Sequence, residues 1–462
     1  NMNNLILLTD SYKYTHHRQY PPNTTKVYSH FVCRGGKYDE VVFFGLQYIM
    51  KRYLLGCAVT EKDVEEAEDY VSAHLGTDIF NKEGWLYIAR DLNGRLPIEI
   101  KAVPEGTVVN NKNVLFTMVN TDPKCFWLTN FLETLLVQVW CPTTVATNSR
   151  EMRKIVQKYM LETCETIDGI QFKVHDFGCR GVSSMETAGI AGLAHLLSFE
   201  GTDTVPALVV GREYYGSDCA GFSIPASEHS TMTSWENETD AMRNMLEQFK
   251  SSPAVACVSD SFDVYHATSN IWGDTLKEKI LEREGTLVIR PDSGDPIQVN
   301  LKLLGLLEEK FGATVNSKGY KVLHPKVRII QGDGIDINSM ERILEALKNQ
   351  KWSADNIAFG SGGGLLQRHH RDTLKCAFKC SYIEINGIGR KVYKNPITDP
   401  GKKSFKGLVT LQKDNNGKYE TMEECEKESI CFMSDQMIPV FLNGELLIEY
   451  ELESIRDRAK LI

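Results

Sequence analysis

The sequence predicts an α/β fold in which an irregular β/α barrel of about seven strand–helix units is joined to a second α/β domain. Between about residues 170 and 375, short apolar strands alternate with helical stretches, and each strand ends in a polar or glycine-rich loop. The segments on either side mix strands and helices, and 462 residues suffice for about two to four domains. We therefore expect residues 166–375 to form the barrel, and residues 1–165 with 376–462 to form a discontinuous α/β domain built from both chain ends.

Each barrel unit is recognised by the strand end that opens its loop. A helix signal follows the second strand, where Pro206 stands in the first helical turn. In β/α barrels the loops after the strands carry the chemistry, so these loops are the first place to look for a site. In chain order the seven strand ends read FKVHDFGCRG, LSFEGTD, GFSIPASEH, AVACVSDS, LVIRPDSG, VRIIQGDG and NIAFGSGGG.

The flanking segments also carry clear element signals. A helix is predicted between Thr60 and Gly76, because Asp63 completes a capping pair with Thr60 and the glycine can end the helix. TKVYSHFVCR alternates as a strand, and residues 148–164 predict a second helix. The strand-rich tail that begins near residue 376 is expected to pack with the first 150 residues.

Composition excludes several classes of protein. Lys+Arg 52 against Asp+Glu 61 gives a net charge of −9, which argues against a general nucleic-acid binder. Glu133 interrupts the best apolar run, so no membrane span is expected. The twelve cysteines include no CxxC pair, and Cys376 and Cys380 lack a matching ligand pattern, so we expect reduced thiols and no zinc site. With no signal-peptide pattern, a cytoplasmic location is expected.

Four glycines, Gly360 and Gly362–Gly364, stand between the last barrel strand and a helix expected to begin near Leu365. Backbone N–H groups without side chains can approach an anion closely, and late barrel loops often hold phosphate. The alternative is a flexible turn, and the loop matches neither a nucleotide-triphosphate nor a dinucleotide motif. Arg371 is expected on the following helix, where its guanidinium could make two contacts with phosphate.

The stretch LVIRPDSGDP runs from an apolar strand directly into Arg290, Pro291 and Asp292. An ordinary turn explains it, since proline fixes φ, aspartate caps the next helix and glycine takes an awkward dihedral. A functional site explains it as well. One copy of the pattern does not decide between the two.

Other strand ends add groups of both charge signs. Phe177 offers a face on which a flat ring could stack, and a core position is its alternative. His229 opens a helix, where histidine can carry protons, accept a phosphoryl group or cap, and Asp260 could orient it. Each group alone is more often structural, but their convergence around a glycine loop favours a phosphosugar site. The expected rim consists of Arg180, Asp203, His229, Asp260, Arg290, Asp292 and Asp333.

Long motifs over nearly the whole chain resemble those of the nicotinamide phosphoribosyltransferases. The resemblance implies a homodimeric type II phosphoribosyltransferase with active sites at the subunit interface. Its reaction joins nicotinamide to 5-phosphoribosyl 1-pyrophosphate (PRPP), giving nicotinamide mononucleotide and pyrophosphate in NAD salvage. The alternatives are a nicotinate phosphoribosyltransferase of the same fold and a non-catalytic binding or signalling protein that keeps the fold. The motifs are LLTDSYKYTHHRQYPPNTTKVYSHF, HDFGCRGVSSMETAGIAG, GTDTV, PASEHSTM, SDSFDVY, IRPDSGDP, IQGDGIDIN and AFGSGGGLLQ.

The resemblance implies roles for the substrate-binding positions. Phe177 and Tyr12 of the partner subunit would sandwich the pyridine ring. Asp203 would hold the carboxamide, and Ser223 and Arg290 would line the same pocket. The positions implied to hold ribose, phosphate or pyrophosphate are Arg180, Asp292, Gly332, Asp333, Gly362, Gly363, Arg371, Lys379, Lys394 and Lys402.

The resemblance implies catalytic roles for His229, Asp260 and Asp292. His229 would become phosphorylated when ATP is hydrolysed, with Asp260 as its companion. Mg²⁺ would arrive with PRPP or pyrophosphate, and no side chain is assigned as a dedicated metal ligand. The sequence departs from the vertebrate pattern at Cys179, where tyrosine is usual, and at Ala377, where serine is usual.

Overall fold

The structure, a computed structural model, describes residues 1–400, 404–424 and 435–461. Lys402, a predicted site residue, lies outside this part of the chain. The strands of the described residues are β1 (Thr24–Cys33), β2 (Glu40–Val42), β3 (Ile98–Ala102), β4 (Val108–Asn110), β5 (Asn113–Asn120), β6 (Val174–Asp176), β7 (Ala254–Val258), β8 (Thr286–Arg290), β9 (Ala313–Val315), β10 (Lys321–Leu323), β11 (Val327–Gln331), β12 (Ile357–Ser361), β13 (Cys376–Ile385), β14 (Ile388–Lys391), β15 (Val409–Lys413), β16 (Tyr419–Glu423), β17 (Ile438–Leu442) and β18 (Glu445–Leu446).

The helices of the same residues vary widely in length. The α-helices are α1 (Leu46–Ile49), α2 (Glu61–Leu75), α3 (Lys82–Asp91), α4 (Leu128–Phe131), α5 (Glu133–Leu136), α6 (Trp140–Thr163), α7 (Met185–His195), α8 (Val205–Tyr215), α9 (His229–Thr233), α10 (Glu238–Gln248), α11 (Val264–His266), α12 (Lys277–Glu282), α13 (Pro296–Phe311), α14 (Ile337–Asn349), α15 (Gly363–Leu366) and α16 (Leu452–Ala459). Short 3₁₀ turns cover Leu5–Leu7, Ser11–Arg18, Pro123–Cys125, Val137–Val139, Ile170–Phe172, Cys179–Gly181 and Ala354–Asn356, and π-helical turns cover Met50–Leu54 and Ala267–Thr275.

The backbone packs into two compact units. The first contains residues 1–147, residues 213–216 and the described residues of 369–460. The second contains residues 148–212 and 217–368, with Leu461. These units are defined by backbone packing and are not a test of domain boundaries. The domains stay a prediction with the bounds 1–165 with 376–462 and 166–375.

A seven-stranded antiparallel sheet forms the centre of the first unit, in the order β14-β13-β1-β5-β3-β17-β18. β13 pairs with β1 as far as Cys33 and Cys376, and β17 pairs with β3. In its core the rings of Phe31 and Phe116 stack with centroids 5.0 Å apart. The tail of the chain therefore completes a sheet begun by the N-terminal residues, and the predicted packing of the two chain ends is confirmed.

The local helix signals are partly confirmed. Thr60 and Asp63 form a reciprocal capping box at the start of α2, and Gly76, with φ +105°, follows its last residue. The helix predicted over residues 148–164 begins earlier, at Trp140. Pro142 lies in its first turn, where a missing N–H costs no intrahelical hydrogen bond, so the proline starts this helix instead of excluding it.

The second unit contains the barrel. Five parallel strands stand in the order β6-β12-β11-β8-β7. Isolated parallel bridges continue the ring from β7 back to β6: Ala226 with Ala256, Phe222 with Gly201, and Thr202 with Asp176. All seven predicted strand positions therefore occur, five as strands and two as bridged segments, and the prediction of an irregular α/β barrel is confirmed.

The described helices differ from a membrane span in length or in apolar character. α6 is the longest of those given above, and it carries charged residues such as Arg150, Glu151 and Lys154. No helix in residues 1–400, 404–424 or 435–461 combines the length and the apolar character needed to cross a lipid bilayer.

Candidate active site

The parallel barrel strands bring their carboxyl ends to one edge of the sheet, and predicted site residues follow those ends. Phe177 and Gly332 come directly after β6 and β11. Arg290 is the last residue of β8, Gly362 follows β12, and Asp260 stands two residues after β7. The structure therefore places these residues at strand ends as expected, and their individual roles stay predictions.

The Phe177 ring lies directly against glycine backbone. A Cβ atom on Gly360 would overlap this ring, and a Cβ atom on Gly332 would lie 3.3 Å from its Cε2 atom and 3.6 Å from Cδ of Arg290. The Phe177 N–H donates to the carbonyl of Ser361 at 2.9 Å, which fixes the turn after β6. The ring remains partly exposed. Phe177 is thus a supported aromatic face instead of a core residue, and such a face can stack on a flat ligand.

Asp203 accepts two hydrogen bonds on one carboxylate oxygen. Nε2 of His175 lies 2.6 Å from Oδ1, and the Ser223 hydroxyl donates to the same atom. Burial alone would raise the pKa of Asp203, but the hydrogen bonds from His175 and Ser223 and the charge of Arg290 bring it below its usual value. Asp203 is therefore ionised near neutral pH and suited to accept an N–H.

Asp176 holds the backbone of the two segments that carry Phe177 and Asp203. Its Oδ1 accepts from the Gly178 N–H at 2.7 Å, and its carbonyl accepts from the Asp203 N–H at 2.9 Å. The side chain is fully buried, and this burial raises its pKa to about 6. The strand end that presents Phe177 and Asp203 thus contains a carboxyl group that resists ionisation.

His229 is held between two carboxylates. Its Nε2 lies 2.7 Å from Oδ1 of Asp260, and its Nδ1 lies 3.9 Å from Oδ2 of Asp292. The Ser293 hydroxyl donates to the other oxygen of Asp260. Burial would raise the pKa of Asp260, but the hydrogen bonds from Ser293 and His229 lower it. Since a carboxylate only accepts, Nε2 carries a hydrogen here, and Nδ1 is the nitrogen that can act as a nucleophile.

The loop after β8 is both a turn and part of the site. Gly294, with φ +84°, makes the turn, and Asp295 caps α13 by accepting two backbone N–H groups. Neither role falls on Asp292, whose Oδ1 lies 3.5 Å from Nη1 of Arg290. Nη2 of Arg290 donates to the Ser227 carbonyl at 3.3 Å. The capping role and the charged pair therefore belong to different residues of the same loop.

Asp333 adds a third negative group to the pair formed by Asp260 and Asp292. Burial raises its pKa, and the negative charges of Asp292 and Asp260 raise it further. Its carbonyl accepts from Nε2 of Gln331 at 2.8 Å, which holds the loop after β11. Negative charge is thus concentrated here, and a cation or a positively charged transition state would be stabilised by it.

Two loops meet at the glycine sequence. A Cβ atom on Gly181 would lie only 3.7 Å from the backbone nitrogen of Gly363, so the turn that carries Arg180 runs beside the start of α15. The first N–H groups of a helix have no partner within it. This pair of loops can therefore present backbone N–H groups and an exposed guanidinium to an anion.

The predicted helix after the glycines is wrong in two respects. It begins at Gly363 instead of Leu365, and it ends at Leu366, so Arg371 lies in a turn of the first unit. The Arg371 carbonyl accepts from the Cys376 N–H at 2.9 Å, and its Nη1 donates to the Cys376 carbonyl at 2.8 Å. These bonds close a turn that a helix could not continue, and glycines favour helix formation poorly.

The other predicted residues lie in the first unit and are described separately. The Tyr12 side chain is 58% exposed. Burial lowers the pKa of Lys379, and the charges of Lys394, Arg34 and Arg371 lower it further. The charge of Glu133 opposes this effect, but three cations act on Lys379, so this surface of the first unit favours an anion.

Sequence reasoning missed two residues of the site, and it missed the contact that a third residue makes. His175, which holds Asp203, stands two positions before Phe177 in the motif HDFGCRG, and the two-residue period of a strand could have indicated a shared face. Gly360 is predicted to belong to a phosphate-binding loop, which stays a prediction, but the sequence does not indicate its contact with the Phe177 ring. Ser293 has no sequence signal beyond its place beside Asp292, because its partner comes from another strand end.

The barrel and its edge define a class of protein, the phosphoribosyltransferases of the barrel type. The chain matches the model of the "Nicotinate phosphoribosyltransferase (NAPRTase) family" over residues 172–438 and that of the "Nicotinamide phosphoribosyltransferase, N-terminal domain" over residues 4–100. It is 48% identical to a nicotinamide phosphoribosyltransferase of Xanthomonas campestris over 99% of this chain and 98% of that protein. It is 34% identical to one of Acinetobacter baylyi over 97% and 95%. The chain belongs to the nicotinate phosphoribosyltransferase family, in which these relatives are nicotinamide phosphoribosyltransferases.

Solved structures share this fold at low sequence identity. A nicotinate-nucleotide pyrophosphorylase from Pyrococcus furiosus superposes with a TM-score of 0.63 at 16% identity, over 99% of this chain and 95% of that one. Human nicotinic acid phosphoribosyltransferase gives 0.56 at 16% identity, over 98% and 93%. At this identity the likeness concerns the fold alone.

Replacing Gly360 with Ala is expected to destabilise the protein by about 1 to 3 kcal/mol, because the new methyl group would overlap the Phe177 ring. Gly305→Ala is the matched control, since a Cβ atom there meets nothing within 4 Å and alanine favours the interior of α13. Thermal melting of the two variants measures the difference. Equal melting temperatures would contradict the placement of Phe177.

Asp176→Asn is expected to stabilise the protein relative to wild type more at about pH 7.5 than at about pH 4.5. In the folded state, Asp176 keeps its proton up to about pH 6, whereas an ordinary aspartate loses it at about pH 4. The stability of the wild-type protein therefore falls as the pH rises from about 4 to about 6. The free energy of unfolding lost in this way is about 2 to 3 kcal/mol. Asparagine does not ionise, so the variant does not lose this stability as the pH rises. Melting temperatures at both pH values measure the effect, with Asp168→Asn at an exposed position as control. A variant effect independent of pH would overturn the assignment.

Proposed function

We propose that the chain is a nicotinamide phosphoribosyltransferase, which transfers the 5-phosphoribosyl group of PRPP to nicotinamide and releases pyrophosphate. The proposal rests on the position of the Asp203 carboxylate beside the Phe177 ring. His175 holds the two together, because it hydrogen-bonds to Asp203 and packs against Phe177. The activity named for the full-length relatives agrees with it. The product, nicotinamide mononucleotide, places the reaction in NAD salvage.

Asp203 accounts for the choice of base. A carboxamide can donate an N–H to this carboxylate, whereas nicotinate would bring a second negative charge. Two like charges about 4 Å apart cost roughly 4 kcal/mol at an effective dielectric constant near 20, or about a thousandfold in affinity. The site therefore favours nicotinamide.

The transfer itself needs positioning and charge more than proton transfer. The pyridine nitrogen attacks C1 of the ribose and carries no proton, so no general base is required. Departure of pyrophosphate leaves positive charge on the sugar ring, which the carboxylates of Asp292 and Asp333 would stabilise. Arg180 and the backbone N–H groups at Gly362 and Gly363 would hold the phosphate groups.

Mg²⁺ fits this edge of the barrel. Among the residues that the structure describes, no group of three or more His, Cys, Asp or Glu side chains is arranged to hold a metal ion unaided. Magnesium, however, is usually held by one or two carboxylates together with substrate phosphates. Asp292 and Asp333 would be those carboxylates, since burial and the negative charges of Asp292 and Asp260 together raise the pKa of Asp333. When bound, the ion would neutralise charge on the leaving pyrophosphate.

ATP would act through His229. Asp260 keeps a hydrogen on Nε2, so Nδ1 is free to attack the γ-phosphorus while ADP leaves. The phosphorylated imidazole would add negative charge beside Asp292 and so favour binding of Mg²⁺ with PRPP. ATP hydrolysis would thereby strengthen substrate binding without entering the transfer reaction.

The cationic surface of the first unit supports a homodimer with shared active sites. In this arrangement Tyr12 of the partner subunit covers the open face of the base on Phe177. The partner's Arg371, Lys379 and Lys394 approach the phosphates, and Lys402 of the partner subunit is proposed to join them. The lowered pKa of Lys379 supports this, because a bound anion would offset both the burial of its charge and the repulsion from neighbouring cations. We also place the enzyme in the cytoplasm, where PRPP and ATP are available.

The proposed function is tested by mass spectrometry of the products formed from PRPP with nicotinamide or nicotinate. Wild type is expected to form nicotinamide mononucleotide, with kcat/KM about a thousandfold higher for nicotinamide. Asp203→Asn should narrow this preference by about tenfold or more, since the like-charge repulsion is removed. Preferential formation of nicotinate mononucleotide by wild type would favour the nicotinate enzyme, and absence of any nucleotide product would refute both.

His229→Ala is expected to abolish the stimulation by ATP and to leave a slow transfer without ATP. Initial rates with and without ATP, at PRPP concentrations below KM, measure the effect. A phosphoryl group on a histidine peptide of wild type, detected by mass spectrometry and absent from the variant, is the second readout. Undiminished stimulation in the variant would overturn the role of His229.

A further inference from the structure

His175 contacts the two residues that would bind the base. Its Nε2 lies 2.6 Å from Oδ1 of Asp203, and its ring centroid lies 5.0 Å from that of Phe177 with an interplanar angle of 49°. The His175 side chain is only 14% exposed. One side chain in β6 therefore fixes the carboxylate relative to the aromatic face.

The surrounding backbone leaves room for this histidine. A Cβ atom on Gly201 would lie 2.7 Å from Nδ1 of His175, so the glycine permits the ring to reach Asp203. Since a carboxylate oxygen only accepts, Nε2 is the donor in this contact. The Asp203 backbone is also held, because its N–H donates to the Asp176 carbonyl at 2.9 Å. Neighbouring residues of β6 thus fix both the main chain and the side chain of Asp203.

The direction of these contacts determines which oxygen meets the ligand. His175 and Ser223 both donate to Oδ1, so a carboxamide N–H would be accepted by Oδ2. Without the His175 contact, Oδ1 would keep only the Ser223 hydroxyl, which can rotate with it, so the carboxylate could turn about its Cα–Cβ and Cβ–Cγ bonds. A carboxylate free to turn would accept the carboxamide N–H less well. It would also repel the nicotinate carboxylate less strongly, because it could move away.

We propose that His175 is a positioning residue that sets the selectivity for nicotinamide over nicotinate by holding Asp203 against rotation beside Phe177. The inference rests on the proposed function and assigns part of its specificity to a residue outside direct contact with the reacting atoms. Its two contacts can be separated by substitution, since glutamine keeps an N–H donor and phenylalanine keeps the aromatic contact.

The test compares His175→Gln and His175→Phe with wild type, using kcat/KM for nicotinamide and nicotinate and the KM for PRPP. The phenylalanine variant should lose about 10- to 100-fold of the nicotinamide preference, the usual range for a lost hydrogen bond to a charged group. The glutamine variant should keep the preference within about threefold of wild type, a difference of less than a single hydrogen bond. The KM for PRPP should change little in either. His324→Gln, in the loop before β11 at the other end of the barrel strand, is the control.

Two results would overturn the inference. One is an unchanged preference in the phenylalanine variant, and the other is an equal loss for both bases together with a raised KM for PRPP, which indicates a general structural role. If the phenylalanine variant does not fold, His175→Leu supplies a second side chain without a donor. Failure of the proposed function is distinct, because wild type would then form no nicotinamide mononucleotide.

Discussion

The pairing of β6 with β12 is the constraint on which the site depends. Its register places His175 opposite Gly360 and Asp176 opposite Ser361. This register directs the Phe177 amide to the Ser361 carbonyl and lays the ring over a position that has no side chain. A shift by one residue would turn alternate side chains to the opposite face and separate these partners. The aromatic face and the carboxylate beside it therefore follow from one strand pair.

The electrostatics of the barrel edge follow two different rules. At Asp203, donors from His175 and Ser223 stabilise one negative charge in a defined direction. At Asp333, burial raises the pKa of the carboxyl group, and the negative charges of Asp292 and Asp260 raise it further. The first arrangement can accept a hydrogen bond from a neutral amide. In the second, the repulsion between carboxylates decreases when a cation binds or positive charge develops on the substrate. The first arrangement involves β6 and the bridged segment at Thr202, and the second involves the loops after the neighbouring strands β8 and β11.

Much of this could be predicted from the sequence because strand ends are marked locally. An apolar run and a polar or glycine-rich loop mark each of the seven predicted barrel segments, and a capping pair marks the helix after Thr60. The prediction of a helix at Arg371 is wrong because this residue lies in a turn held by hydrogen bonds to Cys376. No local sequence pattern indicates these hydrogen bonds. The use of Gly360 as the support for Phe177 was hidden for the same reason. Contacts between strand ends need the register, and the register is set by packing across the sheet.

The central sheet of the first unit joins segments made at opposite times during synthesis. β1 pairs with β13, and the Cys33 and Cys376 positions that face each other are 343 residues apart in the chain. Until the ribosome has released β13, one edge of β1 lacks its neighbour, and unpaired strand edges promote association between nascent chains. The barrel segment emerges before that partner and can fold first. Chaperone binding during translation would thus be needed most by the N-terminal strands, although they are the first to be made.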